Sequence, residues 1–134
     1  MICLCAKEGL GTAMGEPGWK NADNLPEPVF FGMSESAGDM VIRNHFHNRY
    51  EILLVQAGKA EFEIAGKHYE AGPGSLFFIS NFEHHEIKIV SQPYKRSYLL
   101  IKPEYMQNLA GEPAILSIFK YRPEGFRHKI QLSP

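Results

Sequence analysis

The chain has 134 residues, enough for one hydrophobic core and too few for two. Its 14 Lys+Arg against 15 Asp+Glu leave a net charge of −1, which argues against nucleic-acid binding by this chain alone, since phosphate contacts need a basic face. No apolar run approaches membrane-spanning length, and Lys7 and Glu8 break the apolar start too soon for a signal peptide.

Residues 1–27 lack periodicity and carry Gly9, Gly11, Gly15, Pro17, Gly18, Pro26 and the single Trp19, so they read as an arm. Cys3 and Cys5 are too close to pair with each other and have no other cysteine partner; free thiols in a reducing cytoplasm are expected. Val29–Met33 predicts a short strand, Ser34–Asp39 a turn, and Met40–Phe46 a second strand leading into His45-Phe46-His47. Side chains alternate along a strand, so both histidines share a face. Asn48-Arg49 reads as a tight turn closing a hairpin, which would bring Glu51 back to that face.

Tyr50–Gln56 predicts a strand, followed by a turn at Ala57-Gly58-Lys59. Ala60–Ala65 alternates Phe62 and Ile64 against Glu61 and Glu63, a strand with one wet face. A hairpin at Gly66-Lys67, a strand from His68, a turn at Gly72-Pro73-Gly74 and a buried strand at Leu76–Ile79 follow. His84–Val90 alternates again, and His85 travels with Ile87 and Ile89 toward the interior. Gln92-Pro93 is expected to break the strand before a last one at Arg96–Ile101. Short strands with frequent turns indicate an all-β sandwich or barrel. Pro103 opens a short helix with Tyr105, Met106 and Leu109 on its apolar side, and a second is expected near Pro113 with Ile115, Ile118 and Phe119. Residues 121–134 show no periodicity. Lys120, Arg122, Arg127, His128 and Lys129 form the one basic cluster, expected to be a solvated surface or a linker.

His45, His47 and Glu51 supply imidazole nitrogen and carboxylate oxygen, a set that suits Zn, Ni, Fe, Mn or Co better than Ca or Mg; His85 is the best fourth ligand. With open positions left on the ion, such a site supports metal-assisted isomerisation, oxygenation or decarboxylation. The alternative is a pocket for an organic molecule with no metal required. Glu51 pairing with Arg49 or Arg96 is a third, purely structural role. No nucleophile elbow surrounds Ser75, Ser80, Ser91 or Ser97, and no other catalytic group is assigned.

Gly38, His45, His47, Glu51 and Gly58, in that order and nearly at the usual spacing, resemble the first motif of the cupin superfamily. Gly74 and His85 fit the ends of the second motif, but Ser80 stands where Pro is usual, Phe82 where Gly is usual and Ile89 where Asn is usual. Residues 44–58, Gly66–Tyr69, Gly74–His85 and Tyr94–Pro103 together resemble the N-terminal sensor domain of AraC-type transcription regulators. The resemblance covers about residues 28–120 and implies a cupin (double-stranded β-helix, jelly-roll) barrel with one or two short C-terminal helices. It divides the chain into an arm (1–27), a sensor domain (28–120) and a tail (121–134) leading to a DNA-binding region outside this chain.

The implied function is binding of a small effector, a sugar or a small acid. His45, His47, Glu51 and His85 would hold it, Leu53, Phe62, Ile64 and Ile87 would form apolar walls, and the arm would contribute Trp19. Such sensor domains commonly keep these histidines without needing a metal, so the chain is expected not to be an enzyme. Implied partners are the effector, a second copy in a homodimer, and DNA only through a C-terminal helix-turn-helix region; a membrane is not among them. A metal-dependent cupin enzyme (isomerase, dioxygenase or decarboxylase) is the competing reading.

Overall fold

The computed structural model describes residues 22–36, 41–109 and 116–133. Seven strands dominate it: β1 (Val29–Ser36), β2 (Val41–His45), β3 (Tyr50–Ile64), β4 (Lys67–Ala71), β5 (Ser75–Ile79), β6 (His85–Ile101) and β7 (Lys129–Gln131). One short helix, α1 (Pro103–Leu109), follows β6. All pairings are antiparallel, in the order β1-β6-β3-β5-β7, with β2 also on β6 and β4 also on β3; the path does not close on itself.

The frame is the ribbon made by β3 and β6. They pair from Tyr50↔Ile101 to Ile64↔His85, and the register shifts between Val55 and Ala60. A straight strand would hold Glu51 and Ile64 about 40 Å apart. Yet His85, the partner of Ile64, has its Nε2 3.2 Å from the Glu51 carboxylate. The ribbon therefore folds back on itself at the irregular stretch, as bulges allow. Gly58 sits at the bend with φ +79°, and a Cβ there would stand 2.5 Å from the Pro93 carbonyl oxygen and 2.8 Å from that of Ser91. Glycine is needed on both counts.

This bend corrects two expectations. Ala57-Gly58-Lys59 is a bulge inside one 15-residue strand, and Gln92-Pro93, a cis peptide, lies within one 17-residue strand. Gly and Pro mark a distortion here and do not end the strands. A third correction concerns the hairpin expected at Asn48-Arg49. β2 pairs with β6, not with β3, so the start of β6 lies between β2 and the end of β3. The β3–β4 turn falls one residue earlier than expected, at Ala65-Gly66, both with positive φ as a two-residue hairpin requires.

The interior is filled by alternate residues of these strands. Leu53, Val55, Phe62, Ile64, Phe77, Ile79 and Ile87 are fully buried, with Phe62 stacked on Phe77 at 4.0 Å. A second cluster covers the outer face, where Tyr50, Ile52, Leu99 and Phe78 meet Tyr105 and Met106 of α1 and Phe119 of a helical turn over 116–120. Most of the second expected helix, like Trp19 and the cysteines, lies outside the described residues. The expected arm and tail both contribute at their described ends. Ala22 is buried and Leu25 packs on the core, while β7 joins the sheet through β5.

Candidate functional site

Three elements and a loop bring the four expected ligands together. His45 ends β2 directly opposite His85 at the start of β6. Residues 46–49 then carry His47, and Glu51 follows on β3. All four are at most 7% exposed. The ring centroids of His45 and His85 lie 4.1 Å apart, and those of His47 and His85 5.3 Å. The imidazoles of His45, His47 and His85 each offer a ligand atom, all within 4.8 Å of one another.

The outer nitrogens fix the orientation. His45 Nδ1 meets the Arg43 carbonyl at 2.7 Å, His47 Nδ1 that of Arg49 at 3.1 Å, and His85 Nδ1 that of Glu83 at 2.8 Å. A carbonyl only accepts, so each Nδ1 carries the hydrogen. In the neutral ring, Nε2 is then a lone pair. Two of these nitrogens lie against Glu51 Oε2, His85 Nε2 at 3.2 Å and His47 Nε2 at 3.6 Å. Lone pair facing carboxylate is repulsive unless a proton or a metal ion stands between them. Glu51 does not pair with Arg49 or Arg96 as the structural alternative had it. Arg49 turns away, and its guanidinium donates to the carbonyls of Leu100 at 3.3 Å and Leu25 at 2.6 Å.

The electrostatics favour a cation at this point. Burial, then the neighbouring His85, pushes His45 down to about 3, so it is neutral at pH 7. Burial pushes Glu51 up, but the adjoining imidazoles of His47 and His85 outweigh it and hold the carboxyl well below its ordinary range. Three imidazoles held at Nδ1 by backbone carbonyls, beside one carboxylate, are a donor set that fits a first-row transition-metal ion once Nε2 carries no proton.

The cleft around these groups is lined by His45, His47, Glu51, His85, Arg96, Tyr98 and Leu100. Leu53, Phe62, Ile64 and Ile87, expected as its apolar walls, are instead sealed in the core. Alternate residues of β6 replace them. Arg96 was assigned no ligand role from the sequence; the signal for it is that Arg96 shares a strand face with Tyr98 and Leu100.

A second polar cluster, also missed, lies on the other side of residue 83. The Glu83 carboxylate accepts from Arg122 Nη1 at 2.7 Å and from the Ser80 backbone N–H at 2.9 Å, and lies 2.9 Å from His128 Nε2. His128 Nδ1 is 2.7 Å from the Tyr69 hydroxyl. Arg122 also donates to the carbonyls of Ile118 and Phe78. The basic cluster is therefore not a solvated surface at Arg122 and His128: both are drawn inward and fasten the C-terminal residues to the sheet. Burial pushes Glu83 up, but its bonds with His128, Arg122 and the Ser80 N–H bring it down to about 2. Proline, usual at position 80 in the cupin motif, would lack that N–H.

A family model described as the AraC-like ligand-binding domain matches residues 27–134. The chain belongs to this family. A search of curated proteins returns no significant match. Among solved structures, this AraC-like domain is similar to the Cnp3 cupin domain of Schizosaccharomyces pombe (TM-score 0.56, 11% identity, 65% of each chain). It is also similar to a predicted oxalate decarboxylase of Thermotoga maritima (TM-score 0.50, 20% identity, 54% of this chain and 64% of that one). A third likeness is to Bacillus subtilis oxalate decarboxylase, studied for its Mn(II) centres (TM-score 0.51, 15% identity, 80% of this chain and 34% of that one). The domain spans less than two thirds of the length of each of these three proteins. At such identities the likeness establishes a shared cupin fold.

Proposed function

We propose that this domain senses a small polar effector for an AraC-type transcription regulator, and that His45, His47, Glu51 and His85 hold a divalent transition-metal ion at the effector site. The observation that carries the metal reading is the orientation of the rings. Each Nδ1 is committed to a carbonyl, and the Nε2 edges gather around one carboxylate. The family match carries the sensing reading. An ion there would offer open positions to an effector, a sugar or a small acid, beside Tyr98 and Leu100. The effector shifts the regulator only by binding two of its states unequally. DNA contact would come through a helix-turn-helix region outside this chain, in a cytoplasmic homodimer.

Elemental analysis after loading with Zn(II), Mn(II), Ni(II), Co(II) or Fe(II), with thermal shift alongside, tests the metal. About one equivalent is expected, with affinity falling about 100-fold or more in His47→Ala. No retained metal and no shift with any ion would refute it. The same donor set favours a second reading, a metal-dependent cupin enzyme, since an ion held this way polarises a substrate carbonyl. Turnover of a small acid by the loaded protein would favour the enzyme.

A further inference from the structure

The loop over residues 80–84, between β5 and β6, has two sides. Toward the imidazoles, the Phe82 N–H donates to the His47 carbonyl at 2.7 Å, and the Glu83 carbonyl accepts from His85 Nδ1 at 2.8 Å. Asn81 Nδ2 donates to Asn48 Oδ1 at 3.1 Å, next to His47. Two of the three rings are thus placed by this loop, His47 through its main chain and His85 through Nδ1. His45 is placed from elsewhere, with its Nδ1 on the Arg43 carbonyl of β2.

Toward the C-terminal segment, the same loop makes a second set of contacts. Ser80 Oγ donates to the Phe119 carbonyl at 2.8 Å, and Arg122 Nη1 donates to Glu83 Oε2 at 2.7 Å. His128 Nε2 lies 2.9 Å from that oxygen, and Glu83 Oε1 accepts from the Ser80 N–H at 2.9 Å. Glu83 therefore belongs to both sides: both its carboxylate oxygens are held, and its own carbonyl orients His85. Phe82, just before it, has φ 59°, which is costly for a residue with a side chain. Such backbone persists only where its surroundings over-determine it, and the contacts from residues 119, 122 and 128 do so here.

Resting on the reading of the imidazole cluster as part of the sensing site, we propose that loop 80–84 couples occupancy of that cluster to the seating of the C-terminal segment, with Arg122 and His128 as positioning residues for His85. The seated segment holds the loop in the form in which Glu83 orients His85. When the segment lifts, Phe82 relaxes toward ordinary dihedral angles and the Glu83 carbonyl turns from the ring. An ion on the imidazoles fixes the same form from the other side. Each event favours the other, and the linkage is reciprocal. The C-terminal segment is then the element through which the site reports that it is filled.

Nuclear magnetic resonance on the 134-residue chain tests this, beginning without metal. In the metal-stripped protein the Nδ1–H protons of His45 and His85 should both exchange slowly with solvent, since both are held on carbonyls. Arg122→Gln should speed exchange at His85 about 5-fold or more and leave His45 as it was. Arg122→Lys, which keeps a positive charge at Glu83, should fall between. A general loss of stability would move both rings together. Arg122→Gln should also bind Zn(II) about 5-fold more weakly. Reciprocally, Zn(II) should slow exchange of the Phe78 N–H, which donates to the His128 carbonyl at 2.9 Å, by a similar factor beyond any change at the β1–β6 amides. Unchanged His85 exchange in folded Arg122→Gln would overturn the coupling, as would equal changes at His45 and His85, or equal Zn(II) affinity where the unaltered chain binds the ion. If Arg122→Gln does not fold, Ser80→Ala, which removes the hydroxyl that reaches Phe119, decides by the same readings. If the unaltered chain binds no Zn(II), the metal reading fails, and the metal-free exchange rates decide the coupling.

Discussion

Two polar clusters, one buried and one half-buried, share the short segment between β5 and β6, and they are built on opposite principles. Around Glu83, the carboxylate, Arg122, His128 and Tyr69 are satisfied by one another and by backbone groups at hydrogen-bond distances. Around Glu51, the backbone satisfies the outer nitrogens, and the inner nitrogens are turned toward one another and a single carboxylate. The first arrangement is complete and holds the chain's end in place. The second turns three imidazoles that could hold a metal ion toward one another. The main chain of Glu83 joins the two, its carbonyl orienting His85 while its side chain fastens the C-terminal segment. Residue types are nearly alike in both, although Glu83 and Arg122 are only half-buried, and it is the direction of the ring nitrogens that separates the two clusters.

The contrast breaks most sharply under truncation. Arg122→Ala takes from the half-buried Glu83 the partner at 2.7 Å, and about 3 kcal/mol of stability should be lost. For a domain of this size that is a melting temperature lower by about 10 °C or more, read by thermal denaturation. His47→Ala should do the reverse, lowering metal affinity while costing less metal-free stability than Arg122→Ala. Equal destabilisation by both would show the distinction to be empty.

Acid separates the clusters next. His45 is held near 3 in the fold against 6.5 in the unfolded chain, so the unfolded state takes up its proton first and stability falls as pH drops from 6.5 toward 3. Glu83 is held near 2 against an ordinary 4.5, so its contribution is full above pH 4.5 and lost as pH falls from there toward 2. About 3 kcal/mol is at stake in that lower window. Urea titrations across pH should show Glu83→Gln flattening only the lower limb. A variant that still loses stability there as the unaltered protein does would break the assignment.

The smallest effect concerns Phe82, which stands at the usual glycine of the second cupin motif. It keeps the left-handed conformation that glycine would favour, φ 59°, and its N–H donates to the His47 carbonyl at 2.7 Å. Its ring is 56% exposed, so little packing offsets the strain. Phe82→Gly should raise stability by about 0.5–1 kcal/mol in denaturant titration and leave metal stoichiometry unchanged. A loss of stability would mean that the contact of Phe82 with Phe46 outweighs the strain.

The sequence revealed most where the signal was local. Alternation put His85 inside with Ile87 and Ile89, and all three are buried. The His45/His47/Glu51 spacing named residues that the fold brings together. What failed was pairing. Nothing near Asn48-Arg49 tells that β2 belongs beside β6, because that register is decided by residues about 40 positions away. Gly58 and Pro93 looked like two separate breaks because each is unusual alone. They are one bend, visible only once the strands are laid side by side. The Glu83 cluster draws on residues 69, 83, 122 and 128, too far apart for any pattern to connect.

The segment before β1 has a practical consequence. Asp23 Oδ1 accepts from the Asn48 N–H at 2.7 Å and the Leu25 carbonyl accepts from Arg49, so residues 22–27 grip the loop that presents His47. A shortened version starting at Pro28, a natural choice for crystallisation, would strip the buried Arg49 of one carbonyl partner and release that loop. Its behaviour would then reflect the cut, and material prepared for ligand screening should retain Ala22 and everything after it.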